Sequence, residues 1–448
     1  MRPVGGRPPL RLIEGGGPRV SLAPAIEFAA LGAGLTLVAA LLGRLPSWFH
    51  NLGTFQSLYA LAFAFFGLAL ARIRRYEHLP HAGLAVLAVA VAARLALLPA
   101  APSLSGDIYR YVWEGRVILH GGNPYQQSPD DPALAALRDR VIYPGINHKD
   151  LATIYPPLAE AGFALVALVS PTVAAFKAWN LLHDLALVLV LMAWALARGA
   201  SPVRVIAYAW NPLVLVEYSG SGHNDPVALL WLGVALRLAR ERPVVSALAL
   251  VAGVLTKLAP LAALPFLMRR WPWRARLVAA TLLALGLGAF LALARGERSG
   301  LGAFWGAWAN NELAFHYIEQ ATGHFVSARA VAIALLVVVV AWAYRKIPSE
   351  ADATRLTLRT ALLLSPVLHP WYLGWVLAFE PLAFSAPWLL LSLTAVLNYG
   401  VLATPAAGRD FHLSLAWRWV EYGIPLALAL ALAWRARRGA GHGRSGPR

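Results

Sequence analysis

Apolar stretches dominate the chain, and their lengths are those of membrane helices. Runs of spanning or near-spanning length occur at 23–43, 54–72, 82–100, 172–197, 203–218, 226–239, 243–257, 258–268, 275–294, 328–344, 355–368, 371–384, 386–403 and 419–436. A helix needs about 20 apolar residues to cross a hydrocarbon core of about 30 Å, so the pattern predicts 11 to 14 transmembrane helices. The pairs 243–257 with 258–268, and 355–368 with 371–384, are short for two crossings each. They read as half-helices that reverse inside the protein, where irregular backbone is buried or lines a cavity. The expected fold class is all-α, a polytopic membrane helical bundle with amphipathic outer-loop helices. It divides into a basic tail at 1–22, a transmembrane domain at 23–436 and a second basic tail at 437–448.

Composition agrees. Of 448 residues, 59% are apolar and only 14% charged, with a mean hydropathy of +0.58. Soluble chains average about 45–50% apolar and about 25% charged, so too little polar surface is available to wrap a water-soluble fold of this size. The chain has no cysteine, which excludes disulfides, thiolate metal sites and cysteine nucleophiles. Residues 1–22 are rich in Gly, Pro and Arg with no apolar run of leader length. They read as a basic tail, and 23–43 as an uncleaved anchor.

The net charge of +17 would suggest a nucleic-acid partner in a soluble protein. Its distribution says otherwise. With strict alternation from a cytoplasmic N-terminus, 25 of the 39 Lys and Arg fall in short inside segments and 12 outside, although the outside segments are longer. That is the positive-inside bias. It places both termini in the cytoplasm, makes membrane lipid the partner of the basic residues and leaves no nucleic acid to expect. Two outer segments are long, 101–157 and 295–329, and they offer surface for an acceptor.

The first outer loop opens with SGDIYRYVWEGRVILHGGNPY, residues 105–125. Asp107, Arg110, Tyr111 and Glu114 recur at helical spacing on one face, and Ile108, Val112 and Leu119 fall on another. This predicts an amphipathic helix lying at the membrane interface, ended by Gly121-Gly122 and the Asn123-Pro124-Tyr125 turn. Asp107 is a helix-capping or first-turn acid, a general base for an acceptor hydroxyl or a metal ligand. Arg110 and Glu114 are spaced to pair at i, i+4. Tyr155 follows in IYPPL, just before the chain re-enters the membrane.

Other polar residues stand where lipid should exclude them. Lys177, Asn180 and Asp184 share a face within 172–197, with His183 beside them. Each charge near the bilayer centre costs ~2.5–3.5 kcal/mol, so this face must look inward, as a structural ion pair or a binding face. The sequence YSGSGHNDP places His223, Asn224 and Asp225 in a polar turn. His and Asp at this spacing suit a metal or a hydroxyl, but no HExxH-like ligand spacing accompanies them. A divalent cation held by Asp107, His223 and Asp225 therefore stays open. Lys257 interrupts an apolar stretch, either snorkelling to the interface or holding a phosphate. His369, Trp371 and Tyr372 lie in a later outer turn, where aromatic faces are belt residues or stacking surfaces for sugar rings.

Taken in order, GD-IYRYVWEGRV, GGNPY, YPPL, the Lys177-Asn180-Asp184 helix, SGHNDP, TKLAPL and HPWYLGW resemble the polytopic GT-C glycosyltransferases. The likeness is to the bacterial polyprenol-phosphate-mannose-dependent α-mannosyltransferases and the related PIG-M-type enzymes, over about residues 80–385. The resemblance implies a polyprenyl-phosphate sugar donor, mannose as the sugar, and a glycan or glycolipid acceptor. It implies inverting transfer at the outer face of the cytoplasmic membrane, with Asp107 as the catalytic acid of the first outer loop. Arg110, Tyr111, Glu114, Asn123 and Tyr125 map onto its loop positions, Glu114 standing where many relatives carry Asp. Lys257 and His369 map near the donor. A transporter or flippase for a lipid-linked substrate is the alternative; it predicts two similar halves, and no internal repeat is visible.

Overall fold

A computed structural model describes residues 22–296, 298–403 and 413–442. Most of both basic tails and part of the 404–418 outer segment lie outside the described residues. The longer helices are α1 (Leu22–Arg44), α2 (Leu52–Ala71), α3 (Ala82–Leu97), α4 (Asp107–Leu119), α5 (Pro157–Val169), α6 (Val173–Ala197) and α7 (Asp225–Leu238). They continue as α8 (Pro243–Thr256), α9 (Trp273–Leu293), α10 (Gly300–Ala307), α11 (Phe325–Lys346), α12 (Glu350–Leu364), α13 (Ala386–Thr394) and α14 (Leu415–His442). Among the described residues no strand forms beyond an isolated bridge between Asn310 and Val367. The protein is an all-α polytopic membrane bundle. Six helices, α1, α2, α6, α9, α11 and α14, are long and apolar enough to cross a membrane, and α3, α5 and α8 are shorter apolar helices.

Starts and stops follow local chemistry. The Thr172 hydroxyl accepts from the Ala175 N–H at the start of α6, and the Ser349 hydroxyl from the Asp352 N–H at the start of α12, each satisfying an orphan donor. Proline begins α5 and α8, where its missing N–H costs nothing. α1 packs against α2 and α3, α7 against α6 and α8, α8 against α9, and α11 against α12. Small residues permit the closest approaches. A Cβ at Gly43 would meet the Ala96 carbonyl at 2.0 Å, and one at Gly115 would meet that of Phe163 at 2.4 Å, so α1–α3 and α4–α5 pack backbone to backbone.

Four predicted runs are broken rather than single helices, among them 258–268, which divides into Ala259–Ala263 and Leu264–Arg270, and 386–403, which divides into α13 and the turn Ala395–Ala403. The run 203–218 is a chain of short turns, Pro202–Val205, Ile206–Ala209 and Pro212–Val214, leading into a π-helix at Leu215–Ser221. Pro212 cannot donate to the preceding turn, and the irregular backbone is tolerated because the segment is buried without a break from Val205 on. The run 371–384 likewise contains only the turns Pro370–Leu373 and Gly374–Leu377. Helix α5 went unrecognised because its 13 residues fall short of a span and carry Glu160.

The inward face of α6 is structural. Asp184 pairs with Arg94 of α3 at 2.8 Å, with neither side chain exposed, and also accepts from the Tyr208 hydroxyl at 2.7 Å. Lys177 does not join that pair. Its ammonium donates to the carbonyls of Leu98 and Ala100, at 3.0 and 2.6 Å, a cation at the C-terminal end of α3. Asn180 donates to the Gly222 carbonyl at 2.7 Å. This face fixes α3, α6 and the 206–222 segment as one block.

Candidate active site

Helix α4 forms over the predicted residues but does not lie on a surface. Ile108, Arg110, Tyr111, Val112, Trp113, Glu114, Gly115 and Val117 are all buried, so both faces are covered. The interfacial placement is thereby corrected: α5 packs along Tyr111 and Gly115, α6 also contacts the helix, and the chain at 142–151 returns over Arg110. The loop is braced farther out at Asp139. Burial acts to raise its carboxyl pKa, but Arg116 and the backbone N–H groups of Ile142, Val141 and Tyr143 outweigh this and bring it down to about 2.

Beside the start of α4 lies a cavity of about 530 Å³, walled by the 101–157 loop, by α10 and the chain after it, and by the 367–372 turn. Of the sequence-selected residues, Asp107, Arg110, Tyr155, Lys257, His369, Trp371 and Tyr372 line it. Tyr111, Glu114, Asn123, Tyr125, His223, Asn224 and Asp225 are not in its wall.

Asp107 is the first residue of α4, where the helix dipole favours an anion. Its Oδ1 accepts from the Asn147 amide at 2.9 Å, its Oδ2 lies 3.8 Å from His223 Nε2, and the side chain is 20% exposed, which leaves the carboxylate reachable from the cavity. Arg110 pairs with Glu114 at 2.7 Å and spends its remaining donors on the carbonyls of Asn147, His148 and Leu151. It therefore ties the 147–151 chain down over the helix. Tyr111 stacks on Phe163 at 4.7 Å. The Tyr125 hydroxyl donates to the Tyr155 carbonyl at 2.9 Å, and the Asn123 side chain accepts from the Tyr125 N–H. These three residues shape the loop from behind.

Lys257 reaches Asp225 Oδ2 at 2.7 Å and lies over the rings of Tyr372 and Trp375. The other Asp225 oxygen accepts from the Trp375 indole at 2.6 Å. Both Asp225 oxygens are thus engaged, and among the described residues no group of three or more His, Asp and Glu side chains is arranged to hold a metal ion. Trp371 is sandwiched between imidazoles, His223 at 3.9 Å and His369 at 4.3 Å. His369 Nδ1 in turn accepts from the Asn310 amide at 2.7 Å.

Several wall residues were not singled out from the sequence: Asn147, His148, Trp308, Asn310 and Tyr399. The rings of His148 and Trp308 meet at 4.5 Å in the cavity wall, joining the 101–157 and 295–329 loops. Burial, together with the nearby Arg110 cation, lowers the pKa of His148 and favours the neutral ring. Glu217, behind the wall in the π-helix, also escaped notice, although an acid within an apolar run is itself a functional signal.

A family model described as "Alpha-(1->6)-mannopyranosyltransferase, N-terminal domain" matches residues 22–273. The chain is 27% identical over 186 residues to an alpha-(1->6)-mannopyranosyltransferase A of Corynebacterium glutamicum, covering 38% of this chain and 36% of that protein. It is 26% identical over 338 residues to an alpha-(1->6)-mannopyranosyltransferase A of Mycobacterium tuberculosis, covering 65% of this chain and 63% of that protein. The matched parts thus span between about a third and just under two thirds of these curated relatives. No solved structure matches. Because the family model covers more than half of the chain, including α4, the π-helix and Lys257, this protein belongs to the alpha-(1->6)-mannopyranosyltransferase family, whose members are GT-C-type mannosyltransferases.

Proposed function

We propose that the protein transfers mannose from a polyprenyl-phosphate donor to a glycan or glycolipid acceptor, with inversion, at the outer face of the cytoplasmic membrane. The α-(1→6) linkage is the one in the relatives' names. The observation that carries the reading is Asp107, a carboxylate fixed at a helix N-terminus by Asn147 and exposed to a cavity between two outer loops. Asp107 is the general base. It takes the proton of the acceptor hydroxyl as that oxygen attacks the anomeric carbon, while the bond from that carbon to the phosphate oxygen breaks and polyprenyl phosphate leaves with the electron pair. Phosphate is a good leaving group, so the protein's task is positioning and charge stabilisation. Lys257 neutralises the donor phosphate. Arg110, its donors committed to Glu114 and three carbonyls, holds the loop instead.

Both termini lie in the cytoplasm in this reading, and the 101–157 and 295–329 segments face outward. Replacing Asp107 with Asn keeps the size and removes the base. Membranes carrying D107N are expected to lose transfer from polyprenyl-phosphate mannose by about 100-fold or more. Undiminished transfer removes Asp107 from the mechanism, and no transfer by the unaltered protein from any such donor returns the transporter reading.

A further inference from the structure

Glu217 is a carboxylate inside the bundle, 1% exposed, that the transfer mechanism has not used. It sits in the π-helix Leu215–Ser221, an unusual geometry that recurs at functional sites. Its Oε1 accepts from the Tyr399 hydroxyl at 2.6 Å. Its Oε2 has no hydrogen-bond partner and lies 3.4 Å from His223 Nδ1. The same Nδ1 is 3.2 Å from the Glu217 carbonyl.

Both groups facing Nδ1 are acceptors, so Nδ1 carries a hydrogen, and in the neutral form of the ring the lone pair stands at Nε2. That Nε2 is buried, has no hydrogen-bond partner and points at Asp107 Oδ2, 3.8 Å away. Trp371 lies flat on the imidazole at 3.9 Å, which stops the ring from tipping. The nearby cations are engaged elsewhere: Lys177 by two carbonyls and Lys257 by Asp225. His369, on the far face of Trp371, is held by Asn310. Glu217, His223 and Asp107 therefore stand in line from the π-helix to the cavity, and a partnerless ring nitrogen faces the general base.

We infer that Glu217 and His223 are positioning residues behind Asp107, holding an imidazole lone pair where the proton taken from the acceptor can pass. The inference rests on the proposed transfer reaction. The acceptor O–H bond breaks and a proton forms a carboxylic acid on Asp107. That proton then passes to His223 Nε2, which restores the Asp107 carboxylate and leaves an imidazolium between Asp107 and Glu217. The mannosyl carbon has meanwhile gained the acceptor oxygen and lost the phosphate oxygen. The imidazolium returns its proton through Asp107 to water when products leave, so no further reactant is consumed. Glu217 selects the tautomer and stabilises the cation, the part a buried acid plays beside histidine in serine hydrolases.

The test uses the full-length protein in lipid nanodiscs with 15N-labelled histidine. In the unaltered protein, His223, assigned by its loss in H223Q, is expected to show the Nδ1–H tautomer; finding the Nε2–H tautomer overturns the inference without any variant of Glu217. E217Q is expected to disturb that tautomer and to lower kcat by about 100-fold, leaving KM for polyprenyl-phosphate mannose and for a mannoside acceptor within about 3-fold. E217D is expected to recover at least about 10-fold of the loss. Full activity in E217Q, or an unchanged tautomer in it, overturns the inference. Absence of transfer by the unaltered protein strikes the proposed function alone, and the tautomer in E217Q still decides whether Glu217 orients His223.

Discussion

Arg94 and Asp184, on helices far apart in the chain, meet at 2.8 Å with neither side chain exposed. Removing one partner leaves the other charge buried, at a cost of about 3–5 kcal/mol. R94M and D184L are each expected to lower the yield of folded protein and its melting temperature in detergent. The double variant R94M/D184L is expected to recover much of the loss, because two apolar side chains leave no unpaired charge. A double variant no better than its parents would mean that the Tyr208 and Ala209 contacts, rather than the pair, hold this block.

Lys257 serves two partners in this account, Asp225 in the resting protein and the donor phosphate during transfer. K257M is expected to destabilise the protein, because Asp225 is wholly buried. K257M/D225N is expected to regain stability while keeping a KM for the lipid donor raised about 10-fold or more. Melting curves and donor titrations on the same preparations separate the two roles. A double variant that regains both stability and donor affinity removes Lys257 from the donor site.

Trp371 was expected to offer a stacking face to a sugar, yet imidazoles cover it on both sides. Trp308, beside His148 in the cavity wall, is expected to meet the acceptor ring instead. W308A is expected to raise the acceptor KM by up to about 10-fold, with kcat and donor KM little changed. W371A is expected to lower kcat instead, since it frees the His223 and His369 rings. The opposite pattern in initial-rate kinetics would exchange these assignments.

Asp139 has a folded-state pKa of about 2 against an ordinary 3.8. A depressed carboxyl contributes stability above its unfolded value and loses that contribution as pH falls through its folded value. The Arg116–Asp139 link is therefore expected to be fully effective above about pH 4 and to be lost as pH falls through about 2. The residue is partly exposed, so solvent screening keeps the effect small. D139N is expected to lower the melting temperature slightly at pH 7, with the difference vanishing toward pH 2. A difference that persists at pH 2 would assign it to the backbone hydrogen bonds Asp139 accepts.

Much of this molecule is legible in its sequence, for physical reasons. Long apolar runs have one stable outcome in lipid, a helix with its backbone satisfied internally, so α1, α2, α6, α9 and α11 stand close to their predicted limits. The spacing of Asp107, Arg110 and Glu114 placed a polar helix face at the outer loop, and the Arg110–Glu114 pair followed from it. Local spacing carries no information on what approaches from elsewhere in the chain. Only the tertiary structure decided that α4 is buried on both faces, that Arg94 and not Lys177 answers Asp184, and that Asp225 is taken by Lys257 and Trp375. It also decided that Glu217 and His223 stand in line behind Asp107. A short apolar run that breaks at Pro212 reads from its composition as one more span, and only its burial among neighbouring helices turns it into the irregular backbone that aims those side chains.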